Sequence, residues 1–539
     1  MKKIISYFWR IGLLLLIATW GYIWATGMMD SIFEYRSPLR GTPPVKSEPM
    51  YAPISHRAVL VIIDALREDT SLKNEIMPNL NRLRKNGAWA RMHSQPPSFS
   101  QPGYSTILTG GWPELNDGPV VNVDVNEIWE FTQDDLFSAA KQADLRTAIS
   151  AFDWFERLLP DKSVDKGFFT EKEDKQGDLE VVQAVIPWLK TNEHQLVLIH
   201  LDQVDYAGHH EGGPRDPRWD EAAKRCDDLL GEIIGTLDLQ QDTILVISDH
   251  GQIDRGGHGG QDAITLIEPF VLAGYGVEPG HYADVQMVDV APTLAALLGT
   301  SLPASTQGRA LTEMLDLDPH QKIAIAQAQA KQQEKMVDAY RKAVLPKETR
   351  LTTIAELRAA RLWKEQLPRF ILATLLFLMI FFPISKNWNK GRIPLVFGAI
   401  LYIILFNFRF LLIDGRGYSL SSMEGVIEAI LYFGVTTVTT LVFAWACLAL
   451  SQKWFVLQPG HVFRMVADFC LVIIFILAIP VIFSYGLNGW KASWHLPEFN
   501  SVMVAFINTF QIIFCGAVAI PLAALSAGIA AVWGKKSSR

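Results

Sequence analysis

The sequence predicts an α/β domain built on a parallel sheet, joined to an α-helical membrane bundle. Three observations carry that prediction. Runs at 58–63 (AVLVII), 196–200 (LVLIH) and 243–247 (TILVI) are apolar and too brief to be core-spanning helices, so they read as strands buried on both faces. Each run leads into polar groups: Asp64 after the first, Asp205 and His209 after the second, and Ser248-Asp249-His250-Gly251 with His258 after the third. Sites in open α/β sheets form outside the carboxyl ends of the strands, where these groups would meet. From Phe370 onward the composition shifts to long apolar stretches with few charges.

Taken in order, Lys2, Lys3 and Arg10 precede an apolar stretch at 11–29 about long enough to cross a bilayer. Trp20, Tyr22 and Trp24, with no clear small-x-small cleavage site, favour an uncleaved anchor (1–29) over a removed signal peptide. Residues 30–50, with Pro43-Pro44, read as a tether. Residues 51–315 mix charges, turns and short strands as one sizeable soluble domain does. An Ala/Gln/Lys/Glu-rich run within 316–367 carries no strand signal and reads as a helical connector, solvated or on a membrane surface. The bundle, 368–539, offers five candidate spans near 369–385, 393–413, 425–450, 465–486 and 500–533.

With six crossings, the basic clusters at Lys386/Lys390/Arg392, Lys453/Arg464 and Lys535/Lys536/Arg539 share the side of the N-terminus. The positive-inside rule then puts both termini in the cytoplasm and 51–315 outside it, at the plasma membrane or an equivalent one. The net charge of −7 shows no basic stripe, which disfavours a nucleic-acid partner. Cys226 is alone in the soluble region, so no disulfide forms within it. Oligomeric state leaves no trace in the sequence.

Residues 97–110 (PSFSQPGYSTILTG) form a Pro/Ser/Gly loop running into a segment of helical character. A hydroxyl at a helix start meets unpaired backbone N–H groups and a positive dipole end, and both favour a phosphate. Coordination to a metal makes a serine hydroxyl nucleophilic at neutral pH. The mixed carboxylate–imidazole set suits zinc better than magnesium or calcium, with manganese left open.

The ordered set of an Asp-ending first strand, the Pro-Ser-x-Ser-x-Pro…Leu-Thr-Gly loop, Asp-x-x-Gly-His and Ser-Asp-His-Gly…His-Gly resembles the alkaline phosphatase superfamily. It is closest in kind to the type I phosphodiesterase/nucleotide pyrophosphatase branch. Residues 287–294 (MVDVAPTL) look like the family's late helix. The resemblance covers about 56–310 and implies a three-layer α/β/α sandwich of alkaline-phosphatase type. It implies two divalent ions, one held by Asp64, Ser100, Asp249 and His250, the other by Asp205, His209 and His258. It makes Ser100 the nucleophile that forms a phosphoseryl-type intermediate, and Asn122 a holder of a phosphate oxygen.

Several residues admit a second reading. Ser98 is a rival nucleophile and Asp202 a rival to Asp205, although only Asp205 has the four-residue spacing to His209. Asn122 is equally a turn residue, His200 a satisfied buried histidine, and His210 a solvent-facing one. Asp153-Trp154 reads as a pocket segment or as a packed aromatic loop.

Tyr104 stands where sulfatases of the superfamily place an arginine, and the Ser100–Asp205 interval is too short for the inserted domain of the mutases. One leading crossing, an external domain and a trailing bundle resemble the glycosylphosphatidylinositol ethanolamine-phosphate transferases, as does the stretch 200–209 (HLDQVDYAGH). This implies a metal-dependent phosphodiesterase or phospho-group transferase acting on a phosphodiester or phospholipid, with phosphoethanolamine a candidate for the moving group, water or another hydroxyl as its acceptor, and the bundle as the part that meets the lipid. Asn407, Arg409, Asp414 and Glu428 are candidates for headgroup contact, against a reading in which Arg409 snorkels to the interface. The alternative from another class is a transport or scaffold protein whose external domain no longer catalyses.

Overall fold

The computed structural model describes residues 2–386, 392–423 and 425–537. Nine strands form one sheet: β1 (Arg57–Ile63), β2 (Ala88–His93), β3 (Thr147–Phe152), β4 (Lys166–Thr170), β5 (Leu196–Leu201), β6 (Asp242–Ile247), β7 (Ile267–Gly274), β8 (Gly280–His281) and β9 (Val285–Gln286). The order is β4-β3-β5-β1-β6-β7-β2-β8, with β9 also beside β2. The three apolar runs are therefore adjacent, with β1 parallel to both β5 and β6. The sheet is mixed, because β7 runs antiparallel to β6 and β2 antiparallel to β7.

The longer helices are α1 (Lys2–Phe33), α2 (Pro78–Asn86), α3 (Ser100–Thr109), α4 (Leu136–Gln142), α5 (Lys175–Thr191), α6 (Gln203–His210), α7 (Pro217–Ile234), α8 (Val290–Leu298), α9 (Pro319–Val344), α10 (Ile354–Lys386), α11 (Ile393–Asn407), α12 (Val426–Ser451), α13 (Pro459–Asn488) and α14 (Phe499–Ser537). Alternation along β1 decides the layers. Val59, Val61 and Ile63 pack with Leu80, Val185, Trp219 and Leu230 of α2, α5 and α7. The opposite face meets α8 and α4. All seven residues of β1 are buried, as a strand covered by helices on both faces requires.

The chain divides into two compact units. The α/β unit comprises 32–361 and 493–496. It includes α9, whose Ile325, Met336 and Tyr340 are buried, so this part of the expected connector is a packed element. Tether residues also pack: Arg36 Nε lies 3.0 Å from Asp117 Oδ1, and Ser37 Oγ donates to the Leu115 carbonyl at 2.9 Å.

The helical unit comprises 1–31, 362–492 and 497–539. Four helices among the described residues are long and apolar enough to cross a bilayer: Ile393–Ile413, Ile427–Ser451, Pro459–Asn488 and Phe499–Trp533. They mark the chain as an integral membrane protein. The expected spans at 11–29 and 369–385 fall inside α1 and α10, and for neither are all side chains described. Of the orienting basic residues, Lys390 and Arg539 lie outside the described residues, as do the side chains of Lys386, Lys535 and Lys536. Within this unit the Trp24 indole donates to the Gly489 carbonyl at 3.0 Å, so α1 packs against the end of α13.

The four polar candidates of the bundle belong to a network around a π-helical turn, Phe408–Ile413. Arg409 Nε is 3.3 Å from Asp414 Oδ2, which also accepts from the Tyr432 hydroxyl at 2.6 Å. Arg416 pairs with Glu428 and lies 4.0 Å over the Tyr432 ring, while Asn407 Oδ1 accepts from Tyr418 at 2.7 Å. Pairing neutralises these charges internally, which is how ionised groups persist near hydrocarbon.

Truncating the central strand tests the layered core. Ile62→Ala should cost about 2–5 kcal/mol of the stability of the α/β unit, read as a lowered denaturation midpoint by intrinsic fluorescence.

Candidate active site

Three neighbouring strands deliver the polar groups to one edge. Ile63 pairs with Leu201 and Ile62 with Ile247, so Asp64, Asp202 and Ser248-Asp249 follow the strand ends side by side. Helix α6 starts directly after Asp202, and its period brings Asp205 and His209, four residues apart, to one side. His258 arrives from the loop beyond β6, anchored by a 2.9 Å contact of Nδ1 with the Ser98 carbonyl.

In the inner half, His250 Nε2 lies 3.4 Å from Asp64 Oδ1, 3.4 Å from Asp249 Oδ2 and 3.2 Å from Ser100 Oγ. In the outer half, Asp205 Oδ2 is 3.5 Å from His209 Nε2, Asp205 Oδ1 is 3.5 Å from His258 Nε2, and the two imidazole Nε2 atoms are 2.9 Å apart. The His250 and His258 rings stack with centroids 4.0 Å apart and join the halves. All seven side chains expected to hold ions thus converge.

The charges in this pocket are unbalanced. Asp64, Asp202, Asp205 and Asp249 meet no lysine or arginine among the described residues, and the ion-pair partners of Asp64, Asp205 and Asp249 are histidines. Burial, then the charge of Asp64, pushes the Asp249 and Asp202 carboxyls well above the usual range. Burial acts the same way on Asp64, but a hydrogen bond from His200 and the nearness of His250 outweigh it and hold Asp64 at about 2. Burial, then His250 and His209, lowers His258 well below its ordinary value, leaving a neutral ring.

The donor set fits divalent cations. His250 Nδ1 faces the Gly251 carbonyl at 3.1 Å, as His258 Nδ1 faces that of Ser98, so Nδ1–H of each ring is tied to a carbonyl and Nε2 is the nitrogen whose lone pair a cation would use. Those lone pairs face carboxylate oxygens, and among the described residues Asp64 Oδ1 and Asp249 Oδ2 are buried without a hydrogen-bond partner. Acceptors facing acceptors repel unless positive charge lies between them. Two groups of ligand-type atoms within 4.8 Å of one another, Asp64/Asp249/His250 and Asp205/His250/His258, could each hold an ion.

Ser100 is the first residue of α3, and its two candidate roles separate from those of Ser98 by hydrogen bonding. Ser98 Oγ donates or accepts at 3.0 Å with the Gly260 carbonyl, Thr265 Oγ1 and the Gly259 N–H, which commits it to the loop. The helix start differs from expectation. The Gln101 N–H donates to Asn122 Oδ1 at 3.0 Å and Pro102 has no N–H, so of the first three positions the Ser100 N–H alone remains for an anion. The same bond fixes Asn122 beside Ser100 and leaves its Nδ2 amide without a partner among the described residues. Asn122 thus ties its loop to the first turn of α3.

The sequence profile of the family described as type I phosphodiesterase / nucleotide pyrophosphatase matches residues 58–118 and 119–372, more than half of the chain. The chain belongs to that family. Among curated proteins, human GPI ethanolamine phosphate transferase 2, catalytic subunit, is 26% identical over 287 residues, covering 50% of this chain and 29% of its own length. Human GPI ethanolamine phosphate transferase 3, catalytic subunit, is 28% identical over 314 residues, covering 51% and 27%. GPI ethanolamine phosphate transferase 2 of Yarrowia lipolytica is 25% identical over 289 residues, covering 48% and 33%. The chain therefore matches about a third of the length of these relatives. Among solved structures, murine ectonucleotide pyrophosphatase / phosphodiesterase 5 has a TM-score of 0.42 at 15% identity, covering 48% of this chain and all of that one.

In this type I phosphodiesterase-family chain, His200, Tyr104 and Gln252 have contacts at the site that the sequence does not disclose, and Asp202, the rival to Asp205, joins them. His200, set aside as a buried histidine, contacts Asp64 Oδ2 through Nε2 at 3.1 Å. The Tyr104 hydroxyl donates to the same oxygen, and Tyr104 had served to argue against a sulfatase. Asp202 lies with Asp64 and His200 in a third group of ligand-type atoms. Gln252 Nε2 donates to Asp205 Oδ1 at 2.6 Å. Strand alternation was the available signal for His200, since Ile62↔His200 pairing faces it toward a neighbour of Asp64. Trp154 packs edge-on against Phe152 at 5.1 Å, in keeping with the packed-loop alternative, and His210 is exposed beside Tyr206.

Gly208 of the Asp-x-x-Gly-His stretch has a steric reason. An added Cβ would lie 1.8 Å from Gln252 Oε1, so a side chain there expels the amide that steadies Asp205. Gly208→Ala is expected to lower the metal content of the purified protein, measured by inductively coupled plasma mass spectrometry, by a fraction of an ion or more per chain.

Proposed function

We propose that the α/β unit is a divalent-metal-dependent phosphodiesterase-type enzyme that transfers a phosphoethanolamine group from a phospholipid to a hydroxyl acceptor, outside the cytoplasm. The observation that carries the reading is the placement of Ser100 Oγ, at a helix start, 3.2 Å from His250 Nε2 in a pocket of carboxylates that, among the described residues, have no lysine or arginine partner. The relatives named above are ethanolamine phosphate transferases, and the membrane bundle suits a lipid donor.

Asp64, Ser100, Asp249 and His250 would hold one ion, and Asp205, His209 and His258 the other, with zinc favoured by the imidazole–carboxylate donors and manganese the alternative. When bound, such ions supply Lewis-acid stabilisation of an alkoxide and of phosphoryl charge. Ser100 Oγ attacks phosphorus, the P–O bond to the lipid alcohol breaks, the alcohol leaves carrying the Ser100 proton, and phosphoethanolamine stays on Ser100 as a phosphodiester. The Asn122 amide and the Ser100 N–H donate to non-bridging oxygens. An acceptor hydroxyl, or water, then forms the new P–O bond and returns its proton to Ser100 Oγ.

Room for an acceptor larger than water supports transfer. A cavity of 460 Å³ is lined by Gln95, Trp112, Gln307, Gln329 and Gln333, among others. Gln95 and Trp112 also line a crevice with Ser98, Phe99 and Asp249, so the cavity and the site share a wall. Neutral amides that both donate and accept, beside an indole, suit a polyhydroxylated molecule.

The purified full-length protein is expected to release p-nitrophenol from a bis-aryl phosphate, to lose that activity on chelation, and to regain it with zinc. Ser100→Ala should abolish turnover. A chelator-insensitive activity, or one retained in Ser100→Ala, contradicts the mechanism, and the absence of turnover favours the scaffold alternative. Asn122→Ala should lower kcat by about 10²–10³, as for loss of one donor to developing charge. With headgroup-labelled phosphatidylethanolamine and membrane lipids, label should move to a second lipid or glycan; label found solely as a free water-soluble product counts for hydrolysis.

A further inference from the structure

We propose that Tyr104 and His200 are positioning residues that clamp Asp64 Oδ2 and leave Oδ1 as the ligating atom of this carboxylate. The inference rests on the metal-dependent reading above.

The Tyr104 hydroxyl donates to Asp64 Oδ2, and His200 Nε2 lies 3.1 Å from that oxygen and 2.9 Å from the Tyr104 oxygen. Tyr104 has a single proton and gives it to Asp64, so His200 must carry its own on Nε2 to make both contacts attractive. Its Nδ1 is buried without a hydrogen-bond partner among the described residues. The triangle closes on one oxygen. The other, Asp64 Oδ1, is buried and unpartnered, 3.4 Å from His250 Nε2.

The clamp is rigid for reasons of packing. Tyr104 and His200 are each 1% exposed, and Phe155 backs both, with its ring centroid 4.3 Å from that of Tyr104 and 5.2 Å from that of His200. Tyr104 sits one helical turn after Ser100 on α3, so its bond to Asp64 ties the nucleophile's helix to the end of β1. Two bonds to one carboxylate oxygen suppress rotation toward a bidentate mode. Hydrogen-bond partners behind a metal ligand change metal affinity by about 10–100-fold when removed.

A third cation shared by Asp64, His200 and Asp202, whose ligand-type atoms lie within 4.8 Å of one another, is the rival account. It is disfavoured because Asp64 Oδ2 already accepts two hydrogen bonds.

Cobalt(II) serves as the probe on chelator-stripped, full-length protein, with visible absorption and equilibrium affinity as readouts beside bis-aryl phosphate turnover. Tyr104→Phe and His200→Gln are each expected to bind the same number of cobalt ions as the wild type, at least tenfold more weakly at the tighter site, with a shifted absorption band. The double variant should lose less than the product of the two, because both bonds act on one atom. Loss of a whole equivalent of cobalt in His200→Gln makes it a ligand and overturns the proposal; so do unchanged affinity and spectrum in Tyr104→Phe, the variant that removes one oxygen and keeps the ring. Should His200→Gln fail to fold, Tyr104→Phe decides alone. Wild-type cobalt binding with no turnover removes the proposed activity and leaves the clamp, whereas turnover with variants indistinguishable in cobalt binding removes the clamp alone.

Discussion

The repulsion among three buried carboxylates and a partly buried fourth is the constraint around which the α/β unit is organised. Asp64, Asp202, Asp205 and Asp249 share one strand-end pocket, where each like-charged pair at such spacing costs about 3 kcal/mol at the effective dielectric of a protein. Two such pairs rival the net stability of a typical domain, roughly 5–15 kcal/mol. Among the described residues no lysine or arginine pairs with these carboxylates. The protein assigns a specific donor to one oxygen at a time instead: the Ala65 N–H to Asp249 Oδ1, Gln252 to Asp205 Oδ1, Tyr104 and His200 to Asp64 Oδ2. The oxygens left bare are those that face the imidazole lone pairs, which is the arrangement a divalent cation satisfies.

The sheet makes this confinement possible. Parallel pairing of β1 with both β5 and β6 puts three strand ends in register, and helices on both faces keep the strands dry. Close approaches then fix the loops. Gly103 on α3 has Asp249 so near that an added Cβ would lie 2.9 Å from the Asp249 Cβ, which lets the helix carrying Ser100 sit directly over the end of β6. The serine thus owes its position to a glycine one turn along, and Asn122 owes its position to the Gln101 N–H.

Much of this was legible beforehand because strand runs and metal-type side chains are local features. The runs at 58–63, 196–200 and 243–247 each became strands, and the four-residue spacing of Asp205 and His209 placed both on one side of α6. The roles of Tyr104 and His200 were hidden, since a tyrosine on a helix and a histidine in a strand acquire meaning through a partner 40 and 136 residues away. The packing of α9 was hidden for a similar reason: its Ala/Gln-rich composition looks solvated, and its buried face shows only when the loop around Thr306 receives Gln332.

The amino-acid sequence by itself determined that buried parallel strands end in carboxylates and imidazoles and that a long apolar region follows, because periodicity and composition are properties of short windows. Tertiary structure decided which oxygens of Asp64 and Asp249 are bare, that His250 and His258 turn Nδ1 to a backbone carbonyl, and that Ser98 is spent on its loop while Ser100 faces the pocket. Those choices depend on hydrogen-bond geometry between segments far apart in the chain, and no window of sequence contains it.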